Sequence, residues 1–293
     1  MAAARPPGGT RTLAAFVALV VLIGANLVAI RIGNQELAPL WHAGFRFMLA
    51  AVLFAAIALV TRARIPGTRP AAGAAAYGLL SIAAFFGFVY AGLVEAPVGL
   101  ATTTLALGPL LTLGLASVVG LERMRLAAIG GGAVAFAGIA LMYGNALTRD
   151  VPVGSLVLLV LGALSFASGA IVVKRTGRID PVVQNLIASV VGAVVLTGLS
   201  VAFGERQIVP VEQDTLLAFV YLVVPGTVLT FGLLLYLLKR WTASMVSYQF
   251  VLAPVVAIGL AAALLGEPIQ PVVIAGTALV VIGVWVGALR RTT

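Results

Sequence analysis

From Leu107 the chain reads LGPLLTLGLASVVGLERM, followed within a few residues by IGGGAVAFAGIAL; from Leu252 it reads LAPVVAIGLAAALLGEPI, followed by IAGTALVVIGVWV. A shift of 145 positions superposes Leu107 on Leu252, Pro109 on Pro254, Gly114 on Gly259, Leu115 on Leu260, Ala116 on Ala261, Glu122 on Glu267, Gly131 on Gly276 and Gly138 on Gly283, with no gap. Matched leucines and alanines follow from apolar composition alone, but a proline, glycines and a glutamate in step do not. The chain reads as an internal duplication with a period of about 145 residues.

Outside these stretches the composition is that of a membrane protein. Hydrophobic residues make up 62% of the chain and charged residues 9%, against about 25% charged in an ordinary soluble domain; the mean hydropathy is +1.16. Without cysteine there is no disulfide, thiol nucleophile or thiolate metal site. A single histidine, His42, argues against a histidine-built metal centre, and we expect neither metal nor cofactor. The net charge of +9 does not point to nucleic acid, because the basic residues sit in short loops and form no soluble basic face.

Apolar runs of about 20 residues can cross a hydrocarbon core of about 30 Å as helices. Ten are present, at about 13–33, 39–60, 72–93, 97–120, 125–143, 153–173, 181–203, 215–238, 242–265 and 270–289. The first is too long for a signal-peptide core and has no small-x-small cleavage site. Basic residues concentrate in cytoplasmic loops. With the N-terminus inside, Arg62, Arg64, Arg69, Arg123, Arg125, Lys174, Arg175, Lys239 and Arg240 fall there, while Glu36, Glu95, Glu205, Glu212, Asp214 and Glu267 fall outside. The expected fold is an all-α polytopic membrane protein of ten transmembrane helices in two inverted five-helix repeats. Its parts are a cytoplasmic tail at 1–12, a first repeat at 13–143, a linker at 144–152, a second repeat at 153–289 and a cytoplasmic tail at 290–293. Five is odd, so the second copy enters the membrane upside down, a transporter design in which substrate binds near the midplane between the repeats.

Several motifs then resemble the drug/metabolite transporter superfamily, EamA type. They are Gly266-Glu267-Pro268 with the Gly276 to Gly283 helix, the looser first copy at Glu122, Arg46-Phe47-Met48-Leu49-Ala50, and Gly24-Ala25-Asn26-Leu27-Val28-Ala29-Ile30-Arg31. Ile23 stands where that family often has tryptophan. The resemblance covers nearly the whole chain and is nearest to the YddG-type aromatic amino acid exporters. It implies that the first to fourth and sixth to ninth helices surround a central cavity while the fifth and tenth pack outside it. It also implies export of amino acids, aromatic or other apolar ones favoured, across a bacterial inner membrane. The alternatives are a carrier of phosphorylated or nucleotide sugars, which needs more intramembrane cations than Arg46, and an intramembrane enzyme, for which the usual acid, base and metal sets are missing.

A polar side chain inside a membrane helix needs a partner or a cavity. Tyr77, Ser81 and Phe85 share one helical face at spacing i, i+4, i+8, suited either to a planar apolar substrate or to helix packing. Ser244 and Tyr248, with Ser247, share another. Asn26, Thr103 and Ser168 are further substrate-binding candidates, although Ser and Thr can also bond their own helix carbonyls. Arg46 fits either a carboxylate of the substrate or an ion pair with Glu36, Glu95 or Glu267, and Glu267 is a gating or structural charge. His42 is expected at the interface. Pro109, Pro225, Gly226 and Pro254 are candidate hinges, since proline deletes a helix hydrogen bond. Gly283 to Gly287 forms a GxxxG that suits a homodimer or packing within a monomer. No carboxylate falls in mid-helix, so facilitated export or exchange is simpler than proton coupling.

Overall fold

The computed structural model describes residues 9–121, 126–147, 151–175, 179–238, 240 and 249–289; Ser244 and Tyr248 lie outside them. All regular structure among the described residues is helical. Among the described residues seven helices are long and apolar enough to cross a membrane, and three more apolar helices are shorter. The first repeat comprises α1 (Gly9–Gly33), α2 (Pro39–Thr61), α3 (Thr68–Gly92), α4 (Val98–Val118) and α5 (Leu126–Leu147). The second comprises α6 (Val153–Arg175), α7 (Pro181–Ala202), α8 (213–238), α9 (Gln249–Leu265) and α10 (271–289). Proline at the first turn of α2, α7 and α10 starts each where no N–H partner is needed.

Packing follows a pseudo-two-fold axis. The pairs α2 with α7 and α5 with α10 map onto themselves, while α1 on α8 has its mate in α6 on α3, and α1 on α9 in α6 on α4. The α5–α10 contact shows the axis at atomic scale. A Cβ on Gly131 would run into the carbonyl oxygen of Gly283, and one on Gly283 into that of Gly131. For Gly138 and Gly276 the same reciprocal clash would be at 2.6 and 2.8 Å. Here the absence of a side chain lets two backbones touch.

Among the described residues three helices carry a π-helical turn, two of them at matching places, Gly78–Ala84 in α3 and Val224–Leu229 in α8, and the third at Trp285–Leu289 in α10. The duplication thus preserved a backbone irregularity of a kind common at functional sites. In the proline-matched pair the copies differ. Helix α4 breaks at Ala106 and Leu107 and resumes at Gly108 with Pro109 in its first turn, whereas α9 runs on through Pro254.

Candidate functional site

At the junction of α1, α2, α3 and α8 lies Arg46, only 2% exposed. Proline 225 has no N–H for the carbonyl four residues back, and the π turn around it changes the hydrogen-bond register. Threonine side chains take up two of the carbonyls there: Thr227 Oγ1 donates to Leu222 at 2.7 Å and Thr230 Oγ1 to Pro225 at 3.0 Å. The Gly226 carbonyl accepts from Asn26 Nδ2 at 3.2 Å and from Arg46 Nη2 at 3.3 Å. Arg46 also donates to Thr227 Oγ1 through Nε (3.2 Å) and Nη2 (3.0 Å), to Asn26 Oδ1 (3.2 Å) and to the Tyr90 hydroxyl (3.1 Å). The Phe86 ring lies 5.0 Å from the guanidinium carbon, a cation–π contact. A buried arginine costs about 2.5–3.5 kcal/mol even on the lenient scale; here neutral oxygens and an aromatic face offset that cost. Sequence reading expected a carboxylate partner or a substrate. Among the described residues the guanidinium binds the irregular turn of α8 to three helices of the first repeat.

Next to this junction, between the repeats, is a central cavity of about 100 Å³ whose walls include Ile23 and Leu27 of α1, Phe85 of α3, Thr102 of α4, Phe166 of α6 and Pro254 of α9. Phe85 and Phe166 face each other across the repeats at 5.3 Å between ring centroids. Sites for drug-sized ligands measure about 300–1,000 Å³, so the cavity is narrow in this conformation.

At the face where α2, α4, α6 and α8 begin, carboxylates join the repeats. Glu205, after α7, accepts from the N–H groups of Leu40 (3.2 Å) and Trp41 (2.8 Å) at the start of α2. Glu267, after α9, accepts from Val98 N–H at the start of α4 at 3.0 Å. Glu36, after α1, accepts from Val211 (2.8 Å) and Glu212 (3.2 Å) just before α8. Glu95, after α3, accepts from the Ser155 hydroxyl in the first turn of α6 at 3.0 Å. Each bond crosses from one repeat to the other, and anions at helix N-termini meet free N–H groups and the positive dipole end. Arg31, at the C-terminal end of α1, complements them by donating to the Leu93 and Val94 carbonyls that end α3. Val211 N–H holds the Glu36 carboxyl below the usual range, against some desolvation and with help from Thr215 and Glu212. Burial pushes Glu267 the other way, against the Val98 N–H, Arg31 and the Gly99 N–H.

The model of the EamA-like transporter family matches the chain twice, at residues 10–144 and 154–288. The chain belongs to the EamA-like transporter family. An Escherichia coli (strain K12) protein named "Uncharacterized inner membrane transporter YedA" is 29% identical over 259 residues, covering 88% of this chain and 84% of its own. A Salmonella typhimurium (strain LT2) protein named "Probable amino-acid metabolite efflux pump" is 29% identical over 294 residues, covering 94% and 96%. A solved chain described as "Crystal structure of protein" superposes with a TM-score of 0.68 at 18% identity, covering 97% of this chain and 99% of that one, a likeness of fold.

In this EamA transporter the π turn of α3 interrupts the regular spacing of Tyr77, Ser81 and Phe85. Phe85 lines the cavity, Ser81 is buried against Gly169 of α6 with no hydrogen-bond partner among the described residues, and Tyr77 packs half-buried at the edge of the core. Of the three threonines, Thr102 lines the cavity; Thr103 turns to Thr277 of α10 at 2.9 Å and to its own Gly99 carbonyl. Ser168 donates to its own Leu164 carbonyl at 2.8 Å. Asn26 belongs to the Arg46 junction, Pro225 and Gly226 to the π turn, and Pro254 to the cavity wall. His42, expected at the interface, is fully buried; Nδ1 lies 3.0 Å from Asn34 Oδ1 and the ring packs edge-on to Tyr90. The side chain of α2 is shielded there because Gly33 brings α1 directly against the imidazole. Sequence reasoning missed Tyr90, Thr227, Phe166 and Glu205. Glu205 and Glu267 carried a signal, since each follows a glycine (Gly204, Gly266) whose positive φ ends the helix and turns the carboxylate outward.

Proposed function

We propose that the protein exports amino acids, aromatic or other apolar ones favoured, from the cytoplasm across a bacterial inner membrane by alternating access. The observation that carries this reading is the cavity between the inverted repeats, faced by Phe85, Phe166 and Thr102. Two rings and a hydroxyl suit an apolar side chain and a polar end group, and the name of the Salmonella relative is in keeping with that class. No lysine or arginine lines this cavity among the described residues, which speaks against phosphorylated or nucleotide sugars, whose phosphates need cations. The charge segregation supports a cytoplasmic placement of both termini, which turns the carboxylate-latched face outward. Opening toward that face requires the four cross-repeat carboxylate contacts to part, while Pro109 and the π turn at Pro225 and Gly226 are where α4 and α8 bend.

The test is uptake of radiolabelled phenylalanine into proteoliposomes of the purified chain, with and without a pH gradient and with unlabelled competitors. Saturable uptake, inhibited by apolar amino acids and unchanged by the gradient, is expected. No uptake above empty liposomes by folded, inserted protein sinks the amino-acid assignment.

A further inference from the structure

A second cavity, larger than the central one at about 360 Å³, opens at the acidic face between α1, α4, α9 and α10. Its size falls within the range of small-molecule sites, about 300–1,000 Å³. Arg31 and Glu267 are its charged walls among the described residues, and Leu100, Met142, Ile258 and Ile269 are among its apolar ones. Both charged groups retain unused bonding capacity. The hydrogen bonds of Arg31 to Leu93 and Val94 use Nη1 alone, and among the described residues none uses Nη2 or Nε. Both oxygens of Glu267 lean on the Val98 N–H, at 3.2 and 3.0 Å, with the Gly99 N–H beside it, and its carboxyl is held above the usual range because burial outweighs those contacts and the nearby Arg31. A cation with free donors and an under-compensated anion, set in one apolar chamber, are complementary to a small zwitterion carrying an apolar group.

We infer that this chamber is a vestibular binding site for apolar α-amino acids, with the carboxylate at Arg31, the ammonium at Glu267 and the side chain against Met142 and Ile269. The site is distinct from the central cavity and rests on the amino-acid reading for its ligand class. Occupancy also competes with the contacts that fasten the α3–α4 turn, because the ligand's ammonium draws Glu267 from Val98 and its carboxylate draws on Arg31. An amino acid leaving the central cavity thereby loosens the latch it has to pass.

The test is equilibrium dialysis of radiolabelled phenylalanine against the full chain in lipid nanodiscs, with phenethylamine (no carboxylate) and 3-phenylpropionate (no ammonium) as competitors. Losing one charge-assisted contact is expected to weaken either analogue at least tenfold relative to phenylalanine. Ile269→Trp on the exposed loop and Met142→Trp fill the chamber, and each is expected to weaken phenylalanine at least tenfold; Ile269→Trp also decides if Met142→Trp does not fold. Arg31→Gln is expected to abolish the preference for phenylalanine over phenethylamine. Phenylalanine binding unchanged in the folded tryptophan variants, or no binding at millimolar concentration, overturns the proposal. Dialysis binding without liposome uptake sinks the transport reading and leaves the vestibule standing; uptake with binding indifferent to both tryptophans does the reverse.

Discussion

Two junctions related by the pseudo-two-fold axis are built of different material. Where α1 and α2 meet α8, Arg46, Asn26, Thr227 and the Gly226 carbonyl form a buried polar cluster. Where α6 and α7 meet α3, small residues take over. Aligning Pro39 with Pro181 places Ala188 opposite Arg46, and a Cβ on Gly78 would stand 2.7 Å from the Ala188 Cα. Gly169 leaves room for Ser81, and Gly192 for Ile82. Both junctions keep the π turn. The two copies therefore share a backbone path and hold it in separate ways, one by hydrogen bonds and one by close approach.

The largest effect is expected from breaking the small-residue junction. Gly78→Val drives methyl groups into the α7 backbone, which cannot yield as a side-chain tip does, and a loss of about 3 kcal/mol is expected, read from the melting temperature of the chain in nanodiscs. Arg46→Ala breaks the polar junction. It strips hydrogen bonds from Thr227, Asn26 and Tyr90 and opens a void, for about 2–3 kcal/mol. Arg46→Lys should recover little, because one ammonium cannot reach all four partners that the fork spans. If both variants melt like the parent, the polar cluster is not what holds that junction.

Acid separates the junctions next. Glu36 fastens α8, a member of the polar junction, and its carboxyl is held below the usual range chiefly by Val211 N–H. A depressed folded value means that the stability it contributes is present above the unfolded value and lost as pH falls through the folded one. Glu36→Gln is expected to flatten the melting temperature against pH below the ordinary carboxylate range. Glu267, raised by burial, has the opposite sign: its contribution is full below the unfolded value and lost as pH rises through the folded one, so Glu267→Gln changes the profile above the ordinary range. The smallest effect belongs to Ser81→Ala. That hydroxyl has no partner among the described residues, so its removal is expected to change stability by under about 0.5 kcal/mol, or to raise it. A drop of more than about 1 kcal/mol would reveal an unseen role for Ser81 in the small-residue junction.

The fold was legible because its signals are long. Apolar runs, the register of Pro109 with Pro254 and the sorting of charges each extend over many residues, and chance does not imitate them together. The site was less legible because it depends on rotation about helix axes. A π turn adds a residue to one turn and rotates everything beyond it, and nothing in Gly78–Ala84 announces that insertion. Hence Tyr77, Ser81 and Phe85, evenly spaced on paper, meet different surroundings. The threonine run shows the same limit from another side: spacing says that Thr102, Thr103 and Thr104 diverge, and only packing against α10 decides which faces inward. Most of the acidic residues, all but Glu122 and Asp180, were sorted to one side by sequence, but their role in joining the repeats depends on which helix start lies across the gap.

The reciprocal glycines of α5 and α10 are symmetry mates. Gly131 corresponds to Gly276 and Gly138 to Gly283, so the contact of Gly131 with Gly283 and that of Gly138 with Gly276 are one contact made twice. That is the signature of an isologous interface, in which residue i of one subunit meets j of its twin and j meets i. The two repeats thus meet inside a single polypeptide as identical subunits meet across a two-fold axis, with the difference that either half of the contact can be substituted without changing its counterpart.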